Sequence, residues 1–335
     1  MPESTPPTRR PCGSRAVRSV RGSANFALLA MLALALCAAA RGASGDAAAR
    51  VTPGGSAPAN PEALPPIDAG TSLLVVAPHP DDETLCCAGV IQRVLRSGGR
   101  ASVVWITSGD ASVLDLLIEG KPFGGAGRLR ELAEKRMLEA LRATSRLGVP
   151  AEGQLFLGYP DRGVSRLLTD HRATPYTSRF TDAAAVPYSA ALFPAHPYTG
   201  ESLERDFGAV LERVRPTLIL APSPRDTHPD HRAAGQLTIA VTARHGLLGS
   251  IRYWIVHGGE GWPSPRGLMP GVPLTAAPRS RGLTLAVFPL EPAEEDRKLE
   301  ALRAYDTQLR TIAPFMLAFV RSTELFARLP GRDLP

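Results

Sequence analysis

Two short runs of the chain, Ser72–Ala77 (SLLVVA) and Thr217–Ala221 (TLILA), are β-branched or aliphatic with no polar alternation. That is the pattern of central parallel strands covered on both faces. Around them, strand-like and helix-like periods alternate. Thr84–Ser97 carries aliphatics at helical spacing, ends at Gly98-Gly99 and leads into the strand-like Ala101–Thr107. Gly127–Leu147 is a long amphipathic helix stopped by Gly148, and Gln154–Gly158 is the next strand. A helix near Leu203–Val214, the strand Thr217–Ala221, a helix over His231–Arg244 and a strand over Ile251–Val256 continue the rhythm. The pattern predicts an α/β fold with a doubly wound, mostly parallel sheet and helices on both faces.

Two long segments interrupt the alternation, Tyr159–Thr199 and His257–Gly282, both dense in Pro, Gly, Tyr and Trp. Long ordered loops in a compact domain are usually functional, and these follow strand ends, where they would wall a groove. The tail reads as two helices, Pro292–Gln308 and a more apolar one over Phe315–Arg328. No internal repeat is present. Residues 46–70, rich in Ala, Gly and Pro, read as a linker, so the domain runs over residues 71–328 and residues 1–45 stand apart.

Those first 45 residues change the meaning of the charge. The chain of 335 residues carries a net +6, which would suggest a nucleic-acid partner. Six arginines, from Arg9 to Arg41, against Glu3 alone put a surplus of five in the first 45 residues, and the rest is nearly neutral. A nucleic-acid patch is therefore discarded. The basic start precedes the apolar Phe26–Ala40, which has the length of a signal-peptide core and falls short of the roughly 20 residues that span a bilayer. The expectation is export, to the cell envelope or beyond, with membrane contact only through this segment if it is retained as an anchor. Cys12 and Cys37 lie in the same segment, while Cys86 and Cys87 are neighbours on a helix and are expected as two small, unlinked apolar side chains.

The chemistry is concentrated in two polar blocks, each following one of the apolar strands: His79-Pro80-Asp81-Asp82-Glu83 and His228-Pro229-Asp230-His231. Open α/β sheets bind ligands at the carboxyl ends of their strands. Imidazole and carboxylate are zinc donors, and a catalytic zinc takes three protein ligands, leaving one position for water. His79 and Asp82 sit three apart on a tight turn into a helix and face one point, which His231 reaches from the adjacent strand. Asp81, His228 and Asp230 then stand where a base and an acid are wanted. Asp81 would accept the proton of water, a protonated His228 would steady an oxyanion, and Asp230 would orient His228 and raise its pKa. Glu83 either contacts substrate or sits in the first helical turn for its favourable field. His257, just past a strand at the same edge, is a candidate for the pocket lining.

These residues resemble the LmbE-like or PIG-L family of zinc-dependent N-acetylglucosaminyl deacetylases. The likeness is carried by the two blocks, with weaker support from Arg136-Met137-Leu138-Glu139, Leu147-Gly148 and Phe156-Leu157-Gly158-Tyr159-Pro160-Asp161. It implies a Rossmann-like fold, Zn2+ on His79, Asp82 and His231, Asp81 as general base, and His228, modulated by Asp230, as electrostatic and acid partner. It also implies hydrolysis of the acetamido group of an N-acetylglucosamine-bearing small molecule or glycan, with Glu83, Arg136 and His257 as substrate contacts. The exported start and the long Tyr159–Thr199 segment favour an envelope glycan, a glycolipid or a secreted glycoside. Tail residues Lys298, Tyr305, Gln308 and Glu324 are similar to the end of some members, but a helix face of this kind is more often solvated or packed, so they stay outside the predicted site.

Other chemistries use some of the same parts. Two histidines and a carboxylate also hold Fe(II) in oxygenases, commonly in all-β barrels and without a use for Asp81, His228 and Asp230. A catalytically silent glycan-binding relative would not need Asp81 and His228. A nicotinamide cofactor is excluded because Pro78-His79-Pro80 stands where a Gly-rich pyrophosphate turn would be required.

Overall fold

The structure is a computed structural model that describes residues 64–112 and 125–330. The expected targeting segment over 1–45 and most of the linker lie outside the described residues. In chain order the elements are β1 (Ser72–Ala77), α1 (Asp82–Arg96), β2 (Arg100–Thr107), α2 (Gly125–Arg146), β3 (Gln154–Tyr159), α3 (Val164–Leu168), α4 (Gly200–Val214), β4 (Leu218–Pro222) and α5 (Pro229–Arg244). They are followed by β5 (Ile251–Trp254), β6 (Leu285–Pro289), α6 (Pro292–Leu302), α7 (Asp306–Met316) and β7 (Thr323–Ala327).

The seven strands form one sheet in the order β3-β2-β1-β4-β5-β7-β6. The first five are parallel, and β7 and β6 close one side antiparallel. All residues of β1 and β4 are buried, as their unbroken apolar runs require. Each fully buried Leu or Val contributes about 1.5–3 kcal/mol, so these central strands carry much of the core. From β1 the chain winds outward through β2 to β3, and from β4 it winds the other way to β5. Right-handed crossovers therefore put α1 and α2 on one face and α5 on the other. α6 packs beside α1 and α2, and α3 and α4 pack with α5. The direction of winding reverses between β1 and β4, the place where open α/β sheets bind ligands.

The tail departs from its predicted form. Residues 315–328 do not make a helix: α7 ends at Met316 and β7 pairs with β6, Phe326 opposite Ala286 and Glu324 opposite Phe288. Pro314 and a non-helical Ile312 already disturb α7, and a short apolar run is ambiguous in period until a sheet offers it a partner. The single helix over Pro292–Gln308 is likewise divided at Arg303–Tyr305. Among the described residues no helix is long and apolar enough to cross a membrane.

Both long loops are tied to the core. In the first, the Tyr188 hydroxyl donates to Asp110 Oδ2 at 2.9 Å and the Tyr198 hydroxyl to the Gly158 carbonyl at 3.1 Å. In the second, buried Arg321 donates from Nη1 to the Met269 carbonyl at 3.2 Å and from Nη2 to the Pro265 carbonyl at 2.6 Å.

Candidate metal centre

The turn from β1 into α1 is held from three sides. Thr107, at the end of β2, donates from its N–H and its hydroxyl to the Pro78 carbonyl at 3.0 and 2.9 Å. Arg136, buried on α2, donates from Nη1 to the Gly109 carbonyl at 2.8 Å and from Nη2 to the Pro80 carbonyl at 3.3 Å. Gly109 adopts φ 69°, which favours glycine, and a Cβ there would also push the guanidinium from its place, meeting Nη1 at 2.3 Å. Gln308 of α7 completes the clamp through Pro80. Within the turn Asp81 adopts φ 125°, a conformation that costs a non-glycine residue on the order of 1–3 kcal/mol and that the surrounding contacts must impose.

This geometry brings the two sequence blocks together. Asp82 Oδ2 lies 3.3 Å from His79 Nδ1 and 3.2 Å from His231 Nε2. Donors bound to one tetrahedral zinc at about 2.0–2.1 Å stand roughly 3.3 Å apart, so both separations fit the edges of such a site. His231 Nε2 is buried and makes no aligned hydrogen bond, although it lies against Asp82 Oδ2. The opposite nitrogens face carboxylates: His231 Nδ1 is 3.3 Å from Asp226 Oδ2, without hydrogen-bond alignment, and His79 Nε2 is 3.4 Å from both Asp161 Oδ1 and Asp230 Oδ2. Carboxylates behind ligating imidazoles orient the rings and raise their basicity.

Burial alone would lower the pKa of both imidazoles. The surrounding carboxylates override it, holding His79 well above its ordinary value and taking His231 to about 9. In return, His231 and His79 overcome the burial of Asp82 and hold it well below the carboxylate range. The pocket field thus favours positive charge, as a divalent ion requires. His228 also approaches His79 and His231, and Asp161 and Asp230 group around His79 Nε2. Asp82 adds a carboxylate between the two imidazoles, at 3.3 Å from His79 and 3.2 Å from His231.

The remaining predicted residues fall into two groups. Asp81 is buried beside the ligands, its Oδ2 accepting from Gln308 Nε2 at 2.8 Å, and burial together with Asp82 pushes its carboxyl up to about 8. His257 lines the centre, 4.7 Å from the His231 ring and 5.1 Å from the His228 ring. His228 is within reach too, 4.8 Å from the His79 ring, but not in the expected state. Asp230 contacts it through the backbone, its N–H donating to His228 Nδ1 at 3.3 Å, while its carboxylate accepts from the Arg162 N–H at 2.6 Å and faces His79. Among the described residues no carboxylate forms an ion pair with the His228 ring. Burial, and then the neighbouring imidazoles, take it down to about 2. His228 is therefore a neutral ring whose Nδ1 accepts, which leaves the proton on Nε2.

Glu83 and Arg136, expected as substrate contacts, both make hydrogen bonds that hold the turn. Glu83 Oε2 accepts from Trp105 Nε1 at 2.9 Å and from the Asp81 N–H at 3.2 Å, and Oε1 from the hydroxyls of Thr84 and Tyr305. Four donors fill its lone pairs, so it braces the turn. Arg136 does the same from below. Cys86 and Cys87, expected as unlinked, are joined by a disulfide.

Sequence reasoning missed Asp226, Asp161 and Gln308. Asp226 is the hub of the β4 end: Oδ1 accepts from the His228 N–H at 2.8 Å, and Oδ2 from those of Val256 and His257 at 3.1 and 3.0 Å. A carboxylate just past an apolar strand was the available signal for Asp226 and Asp161. For Gln308 the signal was the likeness of the tail to the end of some family members, set aside because a helix face of this kind is more often solvated or packed.

Residues 74–242, just over half of the chain, match the family model described as PIG-L: GlcNAc-PI de-N-acetylase. The chain belongs to the PIG-L family. A 1D-myo-inositol 2-acetamido-2-deoxy-alpha-D-glucopyranoside deacetylase of Tsukamurella paurometabola is 31% identical over 277 residues, covering 74% of this chain and 86% of that one. A diacetylchitobiose deacetylase of Thermococcus kodakarensis is 27% identical over 178 residues, 52% of this chain and 50% of its own length. This PIG-L family member thus spans most of the first relative and half of the second. Among solved structures, an N,N'-diacetylchitobiose deacetylase from Pyrococcus horikoshii superposes with a TM-score of 0.47 at 20% identity, over 78% of this chain and 84% of that one.

Proposed function

We propose that this PIG-L family member is a zinc-dependent amidohydrolase that removes the N-acetyl group from an N-acetylglucosamine-containing glycoside, glycan or glycolipid. The observation that carries the reading is the convergence of His79 Nδ1 and His231 Nε2 on Asp82 Oδ2, at 3.3 and 3.2 Å. The names of the Tsukamurella and Thermococcus relatives support the substrate class. His79, Asp82 and His231 would hold the zinc, which would supply Lewis-acid polarisation of the amide carbonyl and a bound water with its pKa lowered to about 7.

The chain's own groups do the rest. Asp81 takes a proton from the attacking water as its oxygen joins the acyl carbon. Neutral His228 donates from Nε2–H to the developing oxyanion, where such a donor is worth about 2.7–4 kcal/mol. Asp81 then returns the proton to the leaving nitrogen as the C–N bond breaks, giving acetate and a free amine. Asp226, Asp161 and Asp230 hold the imidazoles in place. The catalytic domain spans residues 71–328, and the basic-then-apolar start directs it to the cell envelope or outside, with residues 46–70 as its tether.

Amine release from a panel of N-acyl glucosamine conjugates tests the reading, with chelator and then zinc restored. Activity is expected to vanish on chelation and return with zinc, and indifference to metal removal overturns it. Asp81→Asn should lower kcat/KM about 10²–10⁴-fold with zinc content retained.

A further inference from the structure

A row of rings leads away from the metal centre. The His228 and His257 centroids are 5.1 Å apart, His257 and Phe315 stack at 5.6 Å with 11° between their planes, and Arg266 Cζ lies 4.9 Å over the Phe315 ring. His257 and Phe315 are half-buried and Arg266 is exposed, so the row reaches from the buried centre to solvent. Each step is about the length of one sugar ring.

Arg266 is held there by the backbone on both sides of it. The Pro265 carbonyl accepts from buried Arg321 at 2.6 Å, and the Gly267 N–H donates to the Pro314 carbonyl at 2.8 Å. An arginine needed only to fasten this loop would be used as Arg321 is, with both terminal nitrogens on carbonyls. Arg266 differs. Its polar contact is one long approach to the Trp262 carbonyl at 3.5 Å, and among the described residues no carboxylate faces it. Arg93, Arg172 and Arg244 each have one within 3.0 Å. A guanidinium stacked on a ring keeps its in-plane donors free for a carboxylate or phosphate.

We infer that the His257–Phe315–Arg266 row is a subsite for the part of the substrate beyond the reacting sugar, and that Arg266 receives an anionic oxyacid group there. This rests on the deacetylase reading and narrows its substrate class to conjugates carrying a carboxylate or a phosphate. All three residues lie outside the stretch matched by the family model.

The test uses N-acetylglucosamine glycosides of equal length whose aglycone ends in a carboxylate, a phosphate or a neutral hydroxyl. In the zinc-loaded full chain, kcat/KM should favour an anionic member. In Arg266→Gln the anionic-to-neutral ratio should fall about fivefold to tenfold, the worth of one partly exposed charged contact. Arg266→Glu should invert it, and salt should erode it in the parent protein. The ranking of the two anionic arms says which acid is the native one. Calorimetric binding of the matching free-amine glycosides requires no turnover. If no glycoside is hydrolysed but the binding ratio still falls in Arg266→Gln, the deacetylase reading fails and the subsite stands. Ratios near one in the parent protein, or unchanged in both variants, overturn the subsite.

Discussion

At the scale of single residues, the centre depends on donors that reach a carboxylate from distant parts of the chain. Gln308 holds Asp81 across a separation of 227 residues. Burial and Asp82 already push the Asp81 carboxyl up to about 8, and a base must be ionised to act, so kcat/KM rises as pH rises through its pKa. An N–H donated to a carboxylate favours the charged form. Gln308→Leu removes that help, and its pH–rate profile should show the acidic limb moved to higher pH, with about a tenfold loss at neutral pH. Asp110 offers a test by stability. It accepts from the Asp161 N–H and the Tyr188 hydroxyl, and burial together with Asp161 raises its carboxyl to about 7. Folding favours its protonated form, so its contribution is fully present below about pH 4 and is lost as pH rises towards 7. Asp110→Asn keeps an acceptor for Asp161 and never ionises. Thermal melts should show little difference at pH 4 and a higher melting temperature for the variant at pH 8.

At the scale of elements, α1 bears Asp82 and Glu83 at one end and is gripped in its middle. Lys298 of α6 donates to the Leu85 carbonyl and to Glu324 of β7, both at 2.8 Å, and Glu324 accepts from the Gly89 and Val90 N–H groups at 2.9 and 3.2 Å. β7, whose local pattern reads as helix, thus steers α1 from its place beside β6. Gly89 is part of the fit, since a Cβ there would meet Leu290 at 2.7 Å and Glu324 at 3.2 Å. Alanine is the better helix former by about 1 kcal/mol. Gly89→Ala should nevertheless destabilise by about 1–3 kcal/mol, because overpacking outweighs propensity; chemical denaturation would read the sign.

At the scale of the whole molecule, the winding reversal between β1 and β4 assembles the centre and the loops and tail surround it. Carboxylates raise the pKa values of His79 and His231, the latter to about 9, so a zinc ion held there would have to displace their protons. Zinc affinity should therefore increase with pH up to about 9, and calorimetric titrations in buffers of different ionisation enthalpy should register proton release at pH 7. Much of this was legible in the sequence. The unbroken apolar runs of β1 and β4 announced buried parallel strands, and the blocks at His79–Glu83 and His228–His231 announced where ligands would gather, because strand period and turn chemistry are local properties. Other assignments needed the fold. Glu83 faces Trp105 and Tyr305, Asp230 faces His79 rather than His228, and Asp226 and Gln308 join the centre, because the direction of a side chain is set by neighbours remote in sequence. The residue types and their strand-end positions were thus determined by the chain's own pattern. Which carboxylate meets which imidazole was decided only by tertiary packing, since a charged group in a buried pocket turns to whichever partner the surrounding elements bring within hydrogen-bond reach.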